Sequence, residues 1–587
     1  MRAPDQVLAP ASARRLHLLA LATTTVLGLF MRTWDLDTLP PAPDPDELSI
    51  GYNAWSILVT GRDEYGTAYP AAFRAFGEYK RPAFIYTAVP SIAIFGPTTW
   101  AIRLPGAIAG TLTIPAIDAV ARTLFGSRLI GLIAAACLTV SPWHLQFSRG
   151  AREAAFITLA VTVLALCLAK GFHHAHGPTT PSRRRTTVGW AVGAALAALL
   201  AIYSYPGGVV FVPLMVAGWA WAWRARLRQV LPAVAVAVIL VAVGAIPLAR
   251  QLFDGRIGAR FAQASILNDP ALYELASRRI TRDVDAGVPW ILDHPFALAA
   301  RAAVDAYVAH FNPTFLFTSG DGQPRHHGTD TGQLYLWDAL PMLAGIATIL
   351  HRRRSPAHAA VGLWLVIGPV PASFATEAPH AVRTIVMLPA WYLVGAVGAT
   401  AIWRRVTRAA RRATTASGMT VGGTGFSRAG PAIAIAYAAM IIPTVAYYVE
   451  ATRRYYPVEY PSYWLDGVLE AFAEAQARVA TGEFRRVVIP PNRGDTYLYA
   501  LWATRYDPTR YLSFGGTGQR GTLGRGSLRF DPFEMRGVDW PAEPADPTTL
   551  YAFVIMPGRA IPPRARVVHE IRDRGGDIRV VLFTLAG

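Results

Sequence analysis

Apolar runs separated by short polar loops make up most of the chain up to residue 448. Because a helix needs about 20 apolar residues to cross the hydrocarbon core of a bilayer, runs of that length predict membrane-spanning helices. A shorter run, at 83–96, contains Pro90 and predicts an interfacial or re-entrant segment. The eleven predicted spans are 16–33, 101–122, 128–147, 153–171, 188–205, 207–223, 229–248, 334–350, 357–375, 384–403 and 429–448.

Arginine is concentrated in the loops on one side of these spans. If residues 83–96 do not cross, every arginine-rich short loop lies on the side of the N-terminus, which the positive-inside rule makes cytoplasmic. We therefore predict a multi-pass protein of the plasma (inner) membrane, with the loops 34–100 and 249–333 on the extracytoplasmic face. The clusters are Arg14 and Arg15; Arg122 and Arg128; Arg183, Arg184 and Arg185; Arg224, Arg226 and Arg228; Arg352, Arg353 and Arg354; and Arg404, Arg405, Arg408, Arg411 and Arg412.

The C-terminal region has the residue pattern of a soluble domain. Helical periodicity covers 464–480, and runs typical of strands cover 485–490, 549–556 and 577–585. The sequence therefore predicts two domains, which are a membrane domain at 1–448 and a small extracytoplasmic α/β domain at 449–587.

Two low-complexity segments lie outside these elements. Residues 413–427 are polar and predict a cytoplasmic linker. The glycine-rich segment 515–526 lacks the strand-to-helix context of a phosphate-binding loop, so it predicts a surface loop.

Composition supports a membrane protein and argues against nucleic-acid binding. The chain of 587 residues is 53% hydrophobic and only 16% charged, whereas a soluble domain carries about 25% charged residues. The formal charge of +18 is distributed over short arginine clusters between apolar runs, which is the pattern of membrane topology. Cys137 and Cys167 both lie inside apolar runs and predict neither a disulfide nor a metal site.

A stiff acidic turn follows the first predicted span. Asp44, Asp46 and Glu47 are set among prolines, and Pro43 and Pro45 restrict the backbone around them. One carboxylate is explained by capping of the next helix, for which Asp46 is a candidate. The others make the turn a candidate site at the boundary between water and lipid.

Four further segments on the same predicted face place cations or histidines at the ends of spans. Each has an ordinary alternative, such as interfacial snorkelling or a polar turn between helices. Because arginine is otherwise rare on this face, the clusters favour one active site assembled from several loops, with an anionic partner. The residues are Lys80 and Arg81; Arg149, Arg152 and Glu153; Arg325, His326 and His327; and Glu377, His380 and Arg383.

Metal binding is not assigned from the sequence. Adjacent side chains point in different directions, so His326 and His327 favour hydrogen bonding to phosphate or sugar over ligation of one ion. A divalent cation shared by Asp44 and Asp46 stays open.

Several segments together resemble a known family. The order is P-D-E at 45–47, Y-K-R-P at 79–82, WAIRLPGAIAGTL at 100–112, LFGSRLIGLIAA at 124–135 and SPWHLQFSRGARE at 141–153. This order resembles the bacterial polyprenol-phosphate-sugar glycosyltransferases of the GT-C fold. These are related to protein O-mannosyltransferases (glycosyltransferase family 39) and to aminoarabinose transferases of lipid A.

The resemblance implies a role for individual residues. Asp46 matches the catalytic aspartate of the first loop, Glu47 its acidic neighbour, and Arg149 an arginine of an outer loop. Lys80 matches the cation of an aromatic–Lys–Pro segment, although Arg81 here separates it from the proline.

The implied activity is that of an inverting hexosyl- or pentosyltransferase. Its donor would be a polyprenyl-phosphate-linked sugar, and its acceptor a protein, lipid or glycan hydroxyl, with no nucleic acid and no certain cofactor. Asp46 would act as general base, and the cations would stabilise the departing phosphate. The alternative from another class is a polytopic transporter or flippase of a lipid or envelope precursor, which would place charged residues in the middle of spans.

Overall fold

Helices form most of the computed structural model, which describes residues 11–76, 78–174, 180–253, 265–285, 291–416, 429–491, 493–521 and 526–586. In chain order, the α-helices up to residue 454 are α1 (Ala11–Thr33), α2 (Pro45–Thr60), α3 (Pro82–Phe95), α4 (Thr99–Phe125), α5 (Arg128–Val140), α6 (Pro142–Ser148), α7 (Glu153–His174), α8 (Pro181–Ser204), α9 (Gly208–Ala222), α10 (Leu227–Gly244), α11 (Ile246–Phe253), α12 (Pro270–Asp285), α13 (Pro295–Ala309), α14 (Ala339–His351), α15 (Pro356–Ile367), α16 (Ala381–Thr384), α17 (Leu388–Ala416) and α18 (Ala429–Arg454). A short antiparallel hairpin, β1 (Phe73–Ala75) and β2 (Glu78–Lys80), precedes α3.

The apolar helices agree with the predicted spans. Seven helices of the described chain are long and apolar enough to cross a membrane, and the pair α5–α6, bent by 58°, makes an eighth candidate. Each of the eleven predicted runs falls on one of these helices or on a shorter apolar helix, and 83–96 forms the short helix α3. The chain is therefore a multi-pass membrane protein, while the number of crossings and their orientation stay predictions.

The bend between α5 and α6 has a local cause. Pro142 disfavours helical geometry in the residue before it, and Ser141 accordingly adopts φ −55° and ψ 121°. The hydroxyl of Ser141 then caps the second helix by accepting a hydrogen bond from the backbone N–H of His144 at 3.2 Å. As a result, α6 turns toward the acidic turn instead of continuing straight.

The C-terminal region forms the predicted α/β domain. Its sheet has the order β4-β5-β3-β6-β8-β7, with β3 parallel to β5 and β6 and the remaining pairs antiparallel. The helix α21 packs against this sheet. The helices are α19 (Tyr456–Glu459), α20 (Pro461–Trp464), α21 (Val468–Ala480), α22 (Thr496–Ala503) and α23 (Pro508–Ser513), and the strands are β3 (Arg486–Ile489), β4 (Leu528–Phe530), β5 (Phe533–Met535), β6 (Thr549–Val554), β7 (Ala565–Arg572) and β8 (Ile578–Leu585).

The sequence identified part of this domain. The predicted helix and the three predicted strands match α21, β3, β6 and β8, whereas β4, β5 and β7 were missed because they are short or have an exposed face. The predicted linker 413–427 lies mostly outside the described residues. Part of the glycine-rich segment forms a 3₁₀ turn at Gly516–Arg520, and residues 522–525 are also outside the described chain.

The C-terminal domain packs directly on α2, the helix that begins at the acidic turn. Tyr499 donates a hydrogen bond to the carbonyl oxygen of Pro43 at 3.2 Å, and Tyr52 of α2 donates to the carbonyl oxygen of Tyr506 at 3.1 Å. The ring of Trp502 lies so close to Gly51 that a Cβ added there would be 2.9 Å from it. The two domains therefore share one packed interface around α2.

A buried carboxyl group, Glu64, lies at the centre of this interface. It is 0% exposed and accepts hydrogen bonds from Asn53 Nδ2 at 3.1 Å and from the hydroxyls of Tyr497 and Thr517, each at 2.9 Å. Burial raises the pKa of Glu64 to about 7, against the opposing effect of these donors and with a smaller contribution from Asp63. The interface is thus most stable when this carboxyl group is protonated.

The pKa of Glu64 makes the stability of the interface depend on pH. Relative to an ordinary pKa of 4.5, a folded-state pKa of about 7 favours folding below pH 4.5, and this contribution is lost as the pH rises through 7. The loss amounts to roughly 3 kcal/mol. We expect Glu64→Gln to remove this decline, because the amide oxygen can still accept from Asn53 while its NH₂ group donates to the two hydroxyls. Thermal unfolding of the purified protein between pH 4.5 and 8 measures the difference.

The matched control is Glu483→Gln, whose side chain is 46% exposed and paired with Arg478. This variant should keep the decline with pH of the wild-type protein. Equal pH profiles for Glu64→Gln and Glu483→Gln would show that the buried carboxyl group does not control the interface.

Candidate active site

The acidic turn forms the N-terminus of α2. Asp44 is the N-cap, and its side chain accepts a hydrogen bond from the backbone N–H of Glu47 at 2.9 Å, while Glu47 accepts from the backbone N–H of Asp44 at 3.3 Å. Pro45 occupies the first turn, where a missing N–H costs nothing. This capping box corrects the expectation that Asp46 is the N-cap, and it leaves the carboxylate of Asp46 outside the helix's own hydrogen bonds.

Glu47 forms a fully buried ion pair with Arg103 of α4. The guanidinium donates from Nε to Oε1 at 3.0 Å and from Nη2 to Oε2 at 2.8 Å, and both side chains are 0% exposed. The remaining donors of Arg103 reach the carbonyl oxygens of Leu36, Pro40 and Ala42. Glu47 therefore anchors the turn to α4, and this position gives it no access to a substrate.

Asp44 joins the turn to two other loops. Its Oδ2 accepts hydrogen bonds from Arg152, in a short contact, and from Arg325 Nη1 at 2.8 Å. Burial by itself would raise the pKa of Asp44, but Arg152 and Arg325 outweigh it and hold that pKa below its usual value. The structure thus brings together the predicted loops around residues 44, 152 and 325.

Asp46 is the carboxylate of the turn that faces open space. Its side chain is 46% exposed, and Oδ1 accepts a hydrogen bond from Lys80 Nζ at 2.5 Å. Desolvation would raise the pKa of Asp46, but the charge and the hydrogen bond of Lys80, with Arg152 and Arg325 further away, hold it well below the ordinary value. Asp46 is therefore ionised at neutral pH, and its exposed oxygen is accessible to a ligand.

Lys80 is a buried cation held by this carboxylate. Only 4% of its side chain is exposed. Desolvation acts to lower the pKa of Lys80, but the charges of Asp46 and Glu153 outweigh it and raise that pKa above its usual value. Because the hairpin strand β2 ends at Lys80, the ammonium group is placed beside the start of α2.

Arg81 is a buried cation without a carboxylate partner among the described residues. It is 4% exposed, and its Nε and Nη1 atoms are buried without a hydrogen-bond partner in this part of the chain. Burial lowers the pKa of Arg81 to about 10. A buried arginine that lacks an internal anion is a strong candidate for binding an external one.

The other predicted cations have different positions. Arg149 donates to the carbonyl oxygens of Met31, Trp34 and Leu39, so it ties the end of α1 and the following loop to α6. His327 contacts the neighbouring backbone at Gly328. These positions favour structural roles over direct substrate contact.

His326 and Arg383 lie on two neighbouring loops. His326 hydrogen-bonds through Nδ1 to Asp321 Oδ2 at 2.8 Å, and Arg383 pairs with the exposed Glu377 at 3.5 Å. The rings of His326 and His380 are 5.0 Å apart, so the segments around residues 321–327 and 377–383 meet.

Sequence reasoning missed Arg103 and Asp321. Arg103 stands four residues after the start of α4, and an arginine there is also typical of a span end near the interface. The sequence did carry a signal for Arg103, because a charged residue beside an apolar run needs a buried partner. Asp321 gave no such signal, because acidic residues are common in polar loops.

Part of the chain is similar in sequence to a known protein family. Residues 80–247 match the family model described as dolichyl-phosphate-mannose-protein mannosyltransferase. The matched segment includes Lys80, Arg81, Arg103 and Arg152, while Asp46 precedes it. A search of curated proteins gave no match.

Two groups of solved structures are similar to this chain over most of its length. ArnT from Cupriavidus metallidurans, bound to undecaprenyl phosphate, is 15% identical with a TM-score of 0.51, and the alignment covers 98% of both chains. The oligosaccharyltransferase AglB from Archaeoglobus fulgidus, in complex with an inhibitory peptide and a dolichol-phosphate, is 13% identical with a TM-score of 0.50. That alignment covers 84% of this chain, which spans 64% of the length of AglB. The chain therefore has the GT-C fold, as the resemblance drawn from its sequence implied.

Proposed function

We propose that this protein is a membrane glycosyltransferase that moves a sugar from a polyprenyl-phosphate donor to an acceptor hydroxyl on the outer face of the plasma membrane. The observation that carries the proposal is the placement of Asp46. It is an ionised, 46% exposed carboxylate on a rigid helix end, beside the buried Lys80. Arg81, which follows Lys80 in sequence, is buried and has no carboxylate partner in the described chain. Structures of the same fold bound to undecaprenyl phosphate and to dolichol-phosphate support a lipid phosphate as the donor's carrier.

Asp46 is the proposed general base. The acceptor oxygen attacks the anomeric carbon, its proton passes to Asp46, and the bond from that carbon to the phosphate oxygen breaks. Attack opposite the leaving group inverts the anomeric configuration. The product lipid leaves as polyprenyl phosphate.

Lys80 links donor binding to the strength of this base. In the free protein its ammonium group holds the pKa of Asp46 low, which makes the carboxylate a weak base. A donor phosphate beside Lys80 competes for the same N–H donors and shares the positive charge. Donor binding therefore raises the pKa of Asp46 and makes it a better base in the complex.

Arg81 is the proposed main contact of the donor phosphate. Its two unpartnered nitrogens would each gain a charge-assisted hydrogen bond to a phosphate oxygen. Because α3 begins directly after it, the lipid tail of a phosphate bound there would follow this apolar helix. Arg152 and Arg325 act at a further distance, through Asp44.

Replacing the base tests the proposed chemistry. We expect Asp46→Asn to fold, because Asn has the same size and the charge of Glu153 still acts on Lys80. Sugar transfer from purified polyprenyl-phosphate-linked sugar should fall by about 10²–10⁴-fold in kcat, since no base takes the acceptor proton. The control is Asp37→Asn, an exposed carboxylate in the same loop that should keep wild-type kcat. Near wild-type transfer by Asp46→Asn would rule out the proposed role of Asp46.

Replacing Arg81 separates phosphate binding from chemistry. We expect Arg81→Met to weaken polyprenyl phosphate binding by about 10–100-fold, as befits the loss of hydrogen bonds to a charged group. The ligand-free variant should unfold at the wild-type temperature or above it, because an unpartnered buried cation has been removed. Thermal unfolding with and without polyprenyl phosphate measures both effects.

The control for this variant is Arg62→Met, which changes an exposed arginine of the same loop. It should keep the thermal shift of the wild-type protein on addition of polyprenyl phosphate. If Arg81→Met shows that same shift, the lipid phosphate binds elsewhere.

A further inference from the structure

Asp321, His326 and His380 form a cluster of potential metal ligands beside the proposed active site. One ligand atom from each of them lies within 4.8 Å of the others. Asp321 and His326 belong to the loop before α14, and His380 immediately precedes α16, so the cluster joins two loops distant in sequence. Two imidazoles and one carboxylate are the ligand set of many zinc and iron sites.

The spacing of the rings fits a single tetrahedral ion. Two imidazoles that bind one Zn²⁺ at about 2.0–2.1 Å place their ring centroids about 5 Å apart. The centroids of His326 and His380 are 5.0 Å apart, with the ring planes inclined by 48°. Asp321 Oδ2 is 2.8 Å from His326 Nδ1, so a movement of about half an ångström would give the separation of two ligand atoms on one ion.

One of the two imidazoles has a nitrogen that no other group uses. His380 Nδ1 is buried and has no hydrogen-bond partner among the described residues. An imidazole nitrogen of this kind is available to a metal ion.

The surrounding backbone holds the ligands in place. Asp321 Oδ2 accepts a hydrogen bond from the N–H of Ala381 at 2.7 Å, and Oδ1 accepts from the N–H of Gln323 at 3.1 Å. The backbone N–H of His380 donates to His310 Nε2 at 3.1 Å. Such outer contacts orient metal ligands and are typical of metal sites.

Each of the arginines nearest to the cluster already has a carboxylate partner. Arg152 and Arg325 both pair with Asp44, and Arg383 pairs with Glu377. The carboxylate of Glu377 is 75% exposed and lies 3.9 Å from the other ring nitrogen of His380, Nε2.

We propose that Asp321, His326 and His380 bind a divalent transition-metal ion, with Zn²⁺ as the best fit, and that water completes the coordination. The ion would join the loop at 319–327 to the start of α16. Because Arg325 lies next to His326 and contacts Asp44, the ion would also fix the position of Arg325 at the acidic turn. Asp46 is not one of these ligands, so the proposal stands independently of the proposed reaction.

Cobalt binding by the whole wild-type protein is the first test. The protein is purified without a metal-affinity tag, stripped with a chelator and titrated with Co²⁺, whose visible absorption is intense in tetrahedral sites. We expect about one tightly bound ion per chain, displaced by Zn²⁺, together with a higher unfolding temperature in the presence of Zn²⁺. Absence of the tetrahedral spectrum at saturating Co²⁺ would overturn the proposal without the need for a variant.

Ligand variants locate the ion. We expect His380→Ala and Asp321→Asn each to weaken Zn²⁺ binding by more than about tenfold, measured by metal analysis after dialysis. His327→Ala removes the adjacent histidine, which is outside the cluster, and should bind Zn²⁺ as the wild type does. Monodisperse elution in detergent shows that each variant is folded. Retention of Zn²⁺ by the double variant His380→Ala/Asp321→Asn would place the ion elsewhere and contradict the proposal.

Discussion

The buried ion pair between Glu47 and Arg103 is the interaction on which the rest of the site depends. All five hydrogen bonds of the guanidinium go to Glu47 or to the carbonyl oxygens that precede α2. A further hydrogen bond joins Glu47 to the backbone N–H of Ala151. Removing one partner of such a pair costs about 3–5 kcal/mol, since the other charge stays buried. One pair therefore fixes the first helix end, α4 and the loop that carries Arg152.

Three carboxylates within four residues have three different environments. Glu47 is neutralised by Arg103 out of contact with water, and Asp44 is shared between Arg152 and Arg325. Asp46 alone keeps an exposed oxygen, with a lysine on its buried side. The first two carboxylates supply rigidity, and this rigidity lets the third project from a fixed position. The roles of the three carboxylates therefore differ because their solvent exposure differs, and not because of their residue type.

Much of the architecture was predictable from hydropathy, because length and apolarity determine which segments can cross a bilayer. The sequence also identified the acidic turn and the loops that meet it, since arginine is otherwise rare on the predicted outer face. The individual pairings were not predictable. Nothing local in the sequence distinguishes Lys80, bound to Asp46, from Arg81, which has no carboxylate partner in the described chain. The contact of His326 with His380 likewise depends on how two loops fold against each other.

The packing of the C-terminal domain on α2 has a consequence for how the protein is made. The hydrogen bond between Tyr52 and Tyr506 joins residues 454 positions apart in the chain. The hydrogen bond between Tyr499 and Pro43 joins residues 456 positions apart. During synthesis the helix that carries Asp46 leaves the ribosome long before these partners exist. Until then, Gly51 and its neighbours face the solvent with an uncovered apolar surface. The interface around α2 therefore stays incomplete until a segment 454 positions further along the chain has been synthesised.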